Sequence, residues 1–155
     1  MTRPLAVTLA ACALILGASL AREAAAQAQP WNQEVTTALA GELEDAVSGL
    51  REAVRQSPNM QIPTQRRRLY EIMDNLRMIE QSAASMHAEL KKGEGMESTL
   101  PTYKRLQQIK RDTETLAQHV DISAITRPKL DKAQGILDKL SAYYPAEPTG
   151  AAPRP

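Results

Sequence analysis

Four stretches whose apolar residues recur at alternating steps of three and four, no stretch of strand-like alternation, and connections of only a few residues predict an all-α protein. The expected architecture is an antiparallel up-down-up-down four-helix bundle, since short connections make successive helices neighbours of opposite direction. The bundle is expected over residues 31–144, behind a signal peptide at 1–28 and ahead of a disordered tail at 145–155.

The leader is read from its three parts. Arg3 gives a short positive start, residues 5–21 form an uncharged apolar run, and Arg22-Glu23 is a polar close. Ala24 and Ala26 are the small residues needed ahead of a cut before Gln27, and Ala26 and Ala28 serve a cut before Gln29. The run is shorter than the about 20 residues of a spanning helix, so no transmembrane span is expected after cleavage. The mature chain is therefore expected to be periplasmic or secreted. Leu9-Ala10-Ala11-Cys12 offers an alternative, a lipoprotein anchored through Cys12, although the apolar run continues past that cysteine.

The whole chain carries 19 basic and 18 acidic residues, and loss of Arg3, Arg22 and Glu23 with the leader leaves them balanced. A neutral exported chain has no reason to bind nucleic acid. Cys12 is the one cysteine, so the mature protein has no disulfide, thiol nucleophile or thiolate metal ligand. Aromatic residues make up 3% of the chain and Phe is absent, so the core must be aliphatic.

The first helix is expected over about 33–56, with Val35, Leu39, Leu43, Val47, Leu50 and Val54 on one face. Asn32 is its N-cap, and Ser57-Pro58-Asn59 ends it. Gly41 and Gly49 either admit a close neighbour or are merely tolerated. The second helix, about 64–92, carries the seam Leu69, Ile72, Leu76, Ile79, Ala83, Met86 and Leu90, and stops at Gly93. The third, about 99–120, has Pro101 near its start and the seam Leu106, Ile109, Thr113, Leu116 and Val120. The fourth, about 126–144, has Pro128 in its first turn and the seam Leu130, Ala133, Leu137, Leu140 and Tyr144. After Tyr144 the Pro/Ala-rich stretch has no apolar face to bury. Helix one is acidic and the others are net basic, which favours placing helix one between basic neighbours. Trp31 and Tyr143-Tyr144 should meet and plug one end of the core.

Known chemistries of helical bundles are mostly excluded. A di-iron site needs Glu-x-x-His, but Ala84 stands three residues before His87 and Leu116 before His119. Covalent haem needs cysteines that are absent. His87 and His119 are expected at opposite ends, roughly 30 Å apart, which removes a bis-His site. A His–Met pair stays open, either Met60 with His119 or Met86 with His87. Such a site is similar in layout to the b-type cytochrome bundles, without a matching motif. His87-Ala88-Glu89-Leu90-Lys91-Lys92-Gly93 has the wrong register for a phosphotransfer histidine. The methionines lack the close spacing of copper carriers. Glu42 and Asp45 lie on a solvent face, and neither a nucleophile elbow nor a phosphate loop occurs.

Arg66-Arg67-Arg68 occupies the first turns of helix two, the end where positive charge is least favoured. With exposed Met78 it marks a contact surface for an acidic partner or for anionic lipid headgroups. The expectation is an exported, non-enzymatic bundle, without cofactor, that binds another envelope protein as adaptor, accessory subunit or chaperone. The alternative is a haem- or metal-binding bundle using a Met/His pair. The helical periplasmic chaperones with a Leu-Thr-x-x-Gln repeat are not matched, and seams this regular also suit a homo-oligomer.

Overall fold

Asn32 sits in extended backbone and its side chain accepts the Val35 amide, which opens α1 (Gln33–Arg55). In the computed structural model, which describes residues 29–144, three further α-helices follow: α2 (Pro63–Lys91), α3 (Met96–Ala117) and α4 (Arg127–Ser141). A short 3₁₀ turn, Pro58–Gln61, joins α1 to α2. The described residues are all-α, with no strand among them. The leader at 1–28, the Cys12 alternative and the tail at 145–155 lie outside the described residues.

The core is a single aliphatic cluster. Leu43, Val47 and Leu50 of α1 meet Ile79, Met86 and Leu90 of α2, with Leu106 of α3 and Leu140 of α4. Three helix pairs pack closely: α1 with α2, α2 with α3, and α1 with α4. The acidic α1 thus lies between two net-basic helices. Its Arg51 is paired with Glu80 across the α1–α2 boundary.

The helix ends are tied crosswise. Gln33 Nε2 donates to the carbonyls of Leu90 (2.8 Å) and Glu94 (2.9 Å), so the start of α1 is tied to the end of α2. Arg68 of α2 donates to the His119 carbonyl just past α3 (3.3 Å), and Thr102 of α3 reaches Glu89 of α2. The Gln29 amide donates to the Ala142 carbonyl past α4 (2.6 Å).

Helix limits depart from periodicity in three places. α3 begins at Met96, three residues before the expected Thr99, so Pro101 lies in its second turn. The extra turn is held by the Thr99 hydroxyl, which lies near the carbonyls of Gly95 (3.1 Å) and Met96 (3.3 Å), and by Met96 and Leu100 packing on the core. α3 ends at Ala117 and α4 at Ser141, not at 120 and 144. Past each end the chain tightens into three-residue bonds, Val120 to Ala117 and Tyr144 to Ser141. Such turns keep a side chain on the helix's inner face after the α-helix has stopped. α2 ends as expected at Gly93, whose φ of 89° allows the Glu94 amide to reach the Glu89 carbonyl (3.1 Å).

Candidate functional site

The two ends of the helical assembly are finished differently, and the difference creates the site. At the end shared by the start of α1 and the end of α4, Tyr103 and Tyr144 stack with ring centres 4.0 Å apart and planes 7° from parallel. Trp31 meets Tyr144 edge-on at 5.6 Å. The Tyr144 hydroxyl lies 2.8 Å from Thr99 Oγ1 and 3.6 Å from Met86 Sδ. Gln107 Nε2 donates to the Tyr103 hydroxyl (2.9 Å). Burial raises the pKa of both phenols above the ordinary 10.0, opposed in part by these hydrogen bonds.

Over their whole length α3 and α4 are not a closely packed pair, and toward the other end, among the described residues, no aromatic plug fills the space between them. Between them an apolar trough runs over the core faces of α1 and α2. It holds a cavity of about 60 Å³ under the α3–α4 connection and one of about 50 Å³ further along. Leu50, Leu76, Thr113 and Leu130 line both. Ala117 and Val120 complete the α3 wall, and Ser57, Ser123 and Thr126 lie at the closed tip. The Thr113 hydroxyl donates to the Ile109 carbonyl (2.7 Å), so it makes no demand on a guest. A lining this apolar favours apolar guests.

Burial follows the same gradient. In α3, Tyr103, Leu106 and Ile109 are buried, whereas Thr113, Leu116 and Ala117 are only half-buried. In α4, Leu137 and Leu140 are buried and Leu130 is half-buried. The rim carries the Lys110–Glu114 pair (2.9 Å) and Gln134, with exposed Arg127, Lys129 and Lys132 on the outer side of α4.

The residues singled out in the sequence are scattered relative to this trough. Met86 is fully buried beside the Tyr144 hydroxyl. His87 stands against Gly41, where an added Cβ would lie 2.8 Å from its Cε1, and its Nδ1 is 3.4 Å from Glu44. Neighbouring Met86 and His87 therefore point to different surroundings and form no shared pocket. Met60 is half-buried in the 3₁₀ turn, and His119 is exposed just past α3. Gly49 has open space around it, unlike Gly41. Arg66 donates to the Met60 carbonyl (3.0 Å), Arg67 pairs with Glu71 (3.2 Å), and Arg68 holds the His119 carbonyl. Arg68 thus faces the C-terminal end of α3, where positive charge is favoured. Met78 is 36% exposed and lies in a shallow mixed groove with Ser82, Ser85 and Arg105. Among the described residues no group of three or more His, Cys, Asp or Glu side chains converges as metal ligands would.

Sequence reasoning did not single out Thr113, Ala117 and Leu130 as a site, nor Tyr103 as part of the aromatic plug. The one signal was a hydroxyl residue, Thr113, at a seam position otherwise held by large aliphatics. Among the described residues no helix is long and apolar enough to cross a membrane. No family model matches the chain, and neither a curated protein nor a solved structure does.

Proposed function

We propose that the protein is an exported, non-enzymatic antiparallel four-helix bundle that binds another envelope protein, taking apolar side chains of it into the seam between α3 and α4. The crosswise ties at Gln33, Arg68, Thr102 and Gln29 support the antiparallel arrangement. The leader's composition supports export. The observation that carries the reading is the parted seam, whose two cavities share the walls Leu50, Leu76, Thr113 and Leu130. The apolar side chains of an amphipathic helix laid over α3 and α4 would fill the voids that the seam leaves. The exposed cations of α4 favour a partner helix with acidic flanks.

Two forms of the chain test this by affinity capture from the native envelope. One is unaltered and the other carries Thr113→Leu with Ala117→Leu, which fill the trough. A stoichiometric partner held by the first and lost from the second is expected. A partner held equally by both would move the contact away from the seam, and no partner at all would contradict protein binding.

A further inference from the structure

The tip that carries the α3–α4 connection closes one end of the trough, and its outer side presents a second surface. Ile62 stands at the N-cap of α2 in extended backbone (φ −86°, ψ 113°) and makes no side-chain capping bond. Ser, Thr, Asn or Asp is preferred there, so an isoleucine that is 40% exposed is unfavourable on two counts. Ile125 is 56% exposed in the connection before α4, and Tyr70 is 53% exposed two turns into α2. Contacts of Asn59 and Gln65 with Asp121 bring the start of α2 and the α3–α4 connection to the same end. The same end carries cations from two segments: Arg66, Arg67 and Arg68 at the start of α2, and Arg127 and Lys129 at the start of α4. Glu71 is paired with Arg67 and Asp121 accepts from Gln65, while Asp131 stands exposed one turn after Arg127. Arg55, at the end of α1, is paired with Glu52.

We propose that this tip seats the protein end-on on an anionic phospholipid surface, with Ile62 and Ile125 entering the interface and Arg66, Arg67, Arg127 and Lys129 meeting headgroup phosphates. Protruding aliphatic side chains within a ring of cations match the chemistry of a bilayer interface, where phosphates overlie acyl chains. End-on seating also leaves the α3–α4 seam facing sideways, open to a partner.

Co-sedimentation of the full chain with vesicles tests the proposal. Vesicles of phosphatidylcholine alone are compared with vesicles containing phosphatidylglycerol. Two variants are run beside the unaltered chain: Ile62→Ser with Ile125→Ser, and Arg67→Gln with Arg127→Gln and Lys129→Gln. Serine at position 62 is a better N-cap than isoleucine, so weaker binding by the first variant is not a folding defect. Salt-sensitive binding to the anionic vesicles is expected, falling at least tenfold in the serine variant and roughly a hundredfold in the variant that loses three cations, at about fivefold per cation near a charged surface. Equal binding to both vesicle types, binding unchanged in the variants, or no binding would overturn it. Retention on immobilised polyglutamate that the two serines leave unchanged would assign the tip to an acidic protein instead.

Discussion

The aromatic end and the trough end are built from the same heptad pattern and reach opposite results. At the aromatic end, Trp31, Tyr103 and Tyr144 supply wide, flat groups that fill the space between four helices, and Thr99 and Met86 satisfy the Tyr144 hydroxyl, whose burial would otherwise be costly. At the trough end the seam residues are Thr113, Ala117, Val120 and Leu130, too small together to span the same width. The periodicity of apolar residues decides which face of a helix turns inward. Side-chain volume decides whether the facing helix can close upon it.

Removing the plug should cost most. Tyr144→Ala is expected to destabilise the protein by about 3–5 kcal/mol, because a large buried ring leaves a cavity. Leu130→Ala, at a half-buried position already beside a cavity, should cost below about 2 kcal/mol. Urea unfolding of the two variants measures the contrast, and equal costs would mean that the ends are packed alike.

Alkaline pH should loosen the aromatic end selectively. Tyr103 and Tyr144 have folded pKa values raised above the 10.0 of an unfolded chain, chiefly by burial. The neutral phenol is therefore the form that folding favours. The stability this contributes is complete below about pH 10 and is lost as the pH climbs through the raised values. Unfolding midpoints between pH 8 and 12 should fall with a slope that Tyr144→Phe makes shallower.

Filling the trough should have the opposite sign. Thr113→Leu is expected to raise stability by about 1 kcal/mol if the side chain enters the void, read as a higher urea midpoint. A loss of stability would show that the seam is too tight for added volume. The smallest contrast lies in α1. Gly49→Ala, with open space around it, should gain about 0.5–1 kcal/mol from helix propensity. Gly41→Ala should gain less or lose, since His87 occupies the place of its Cβ. Thermal midpoints of the two single variants decide this.

Much of the fold was legible because it depends on local spacing. The steps from Leu69 to Leu90 locate α2, and Asn32 and Gly93 mark ends by backbone chemistry, whereas Thr64, which the sequence offers as the cap of α2, lies inside it behind Ile62. Trp31 and Tyr144 could be brought together from helix direction alone. Helix limits were less legible where side chains stay inward after the helix stops, as Val120 and Tyr144 do. Pro101 misled in the other direction, since it suggests a first turn and stands in a second. The trough was not legible because a heptad names the inward residues and says nothing of the distance between facing helices. That distance depends on four side chains from four helices at each level. Thr113 and Ala117 were visible, but their joint effect opposite Leu50, Leu76 and Leu130 was not. The arginine run was visible as an electrostatic mismatch, and the His119 carbonyl that Arg68 meets became apparent only with the end of α3 beside it.

The most direct test is amide hydrogen exchange resolved along α3, with the partner absent and present. Without partner, amides around Leu106 and Ile109 should exchange slowly and those from Thr113 to Ala117 markedly faster; a bound partner should slow the second group alone. Uniform protection along α3 in the free protein, or a partner that leaves Thr113 to Ala117 unchanged, would contradict an open seam that serves as the binding site.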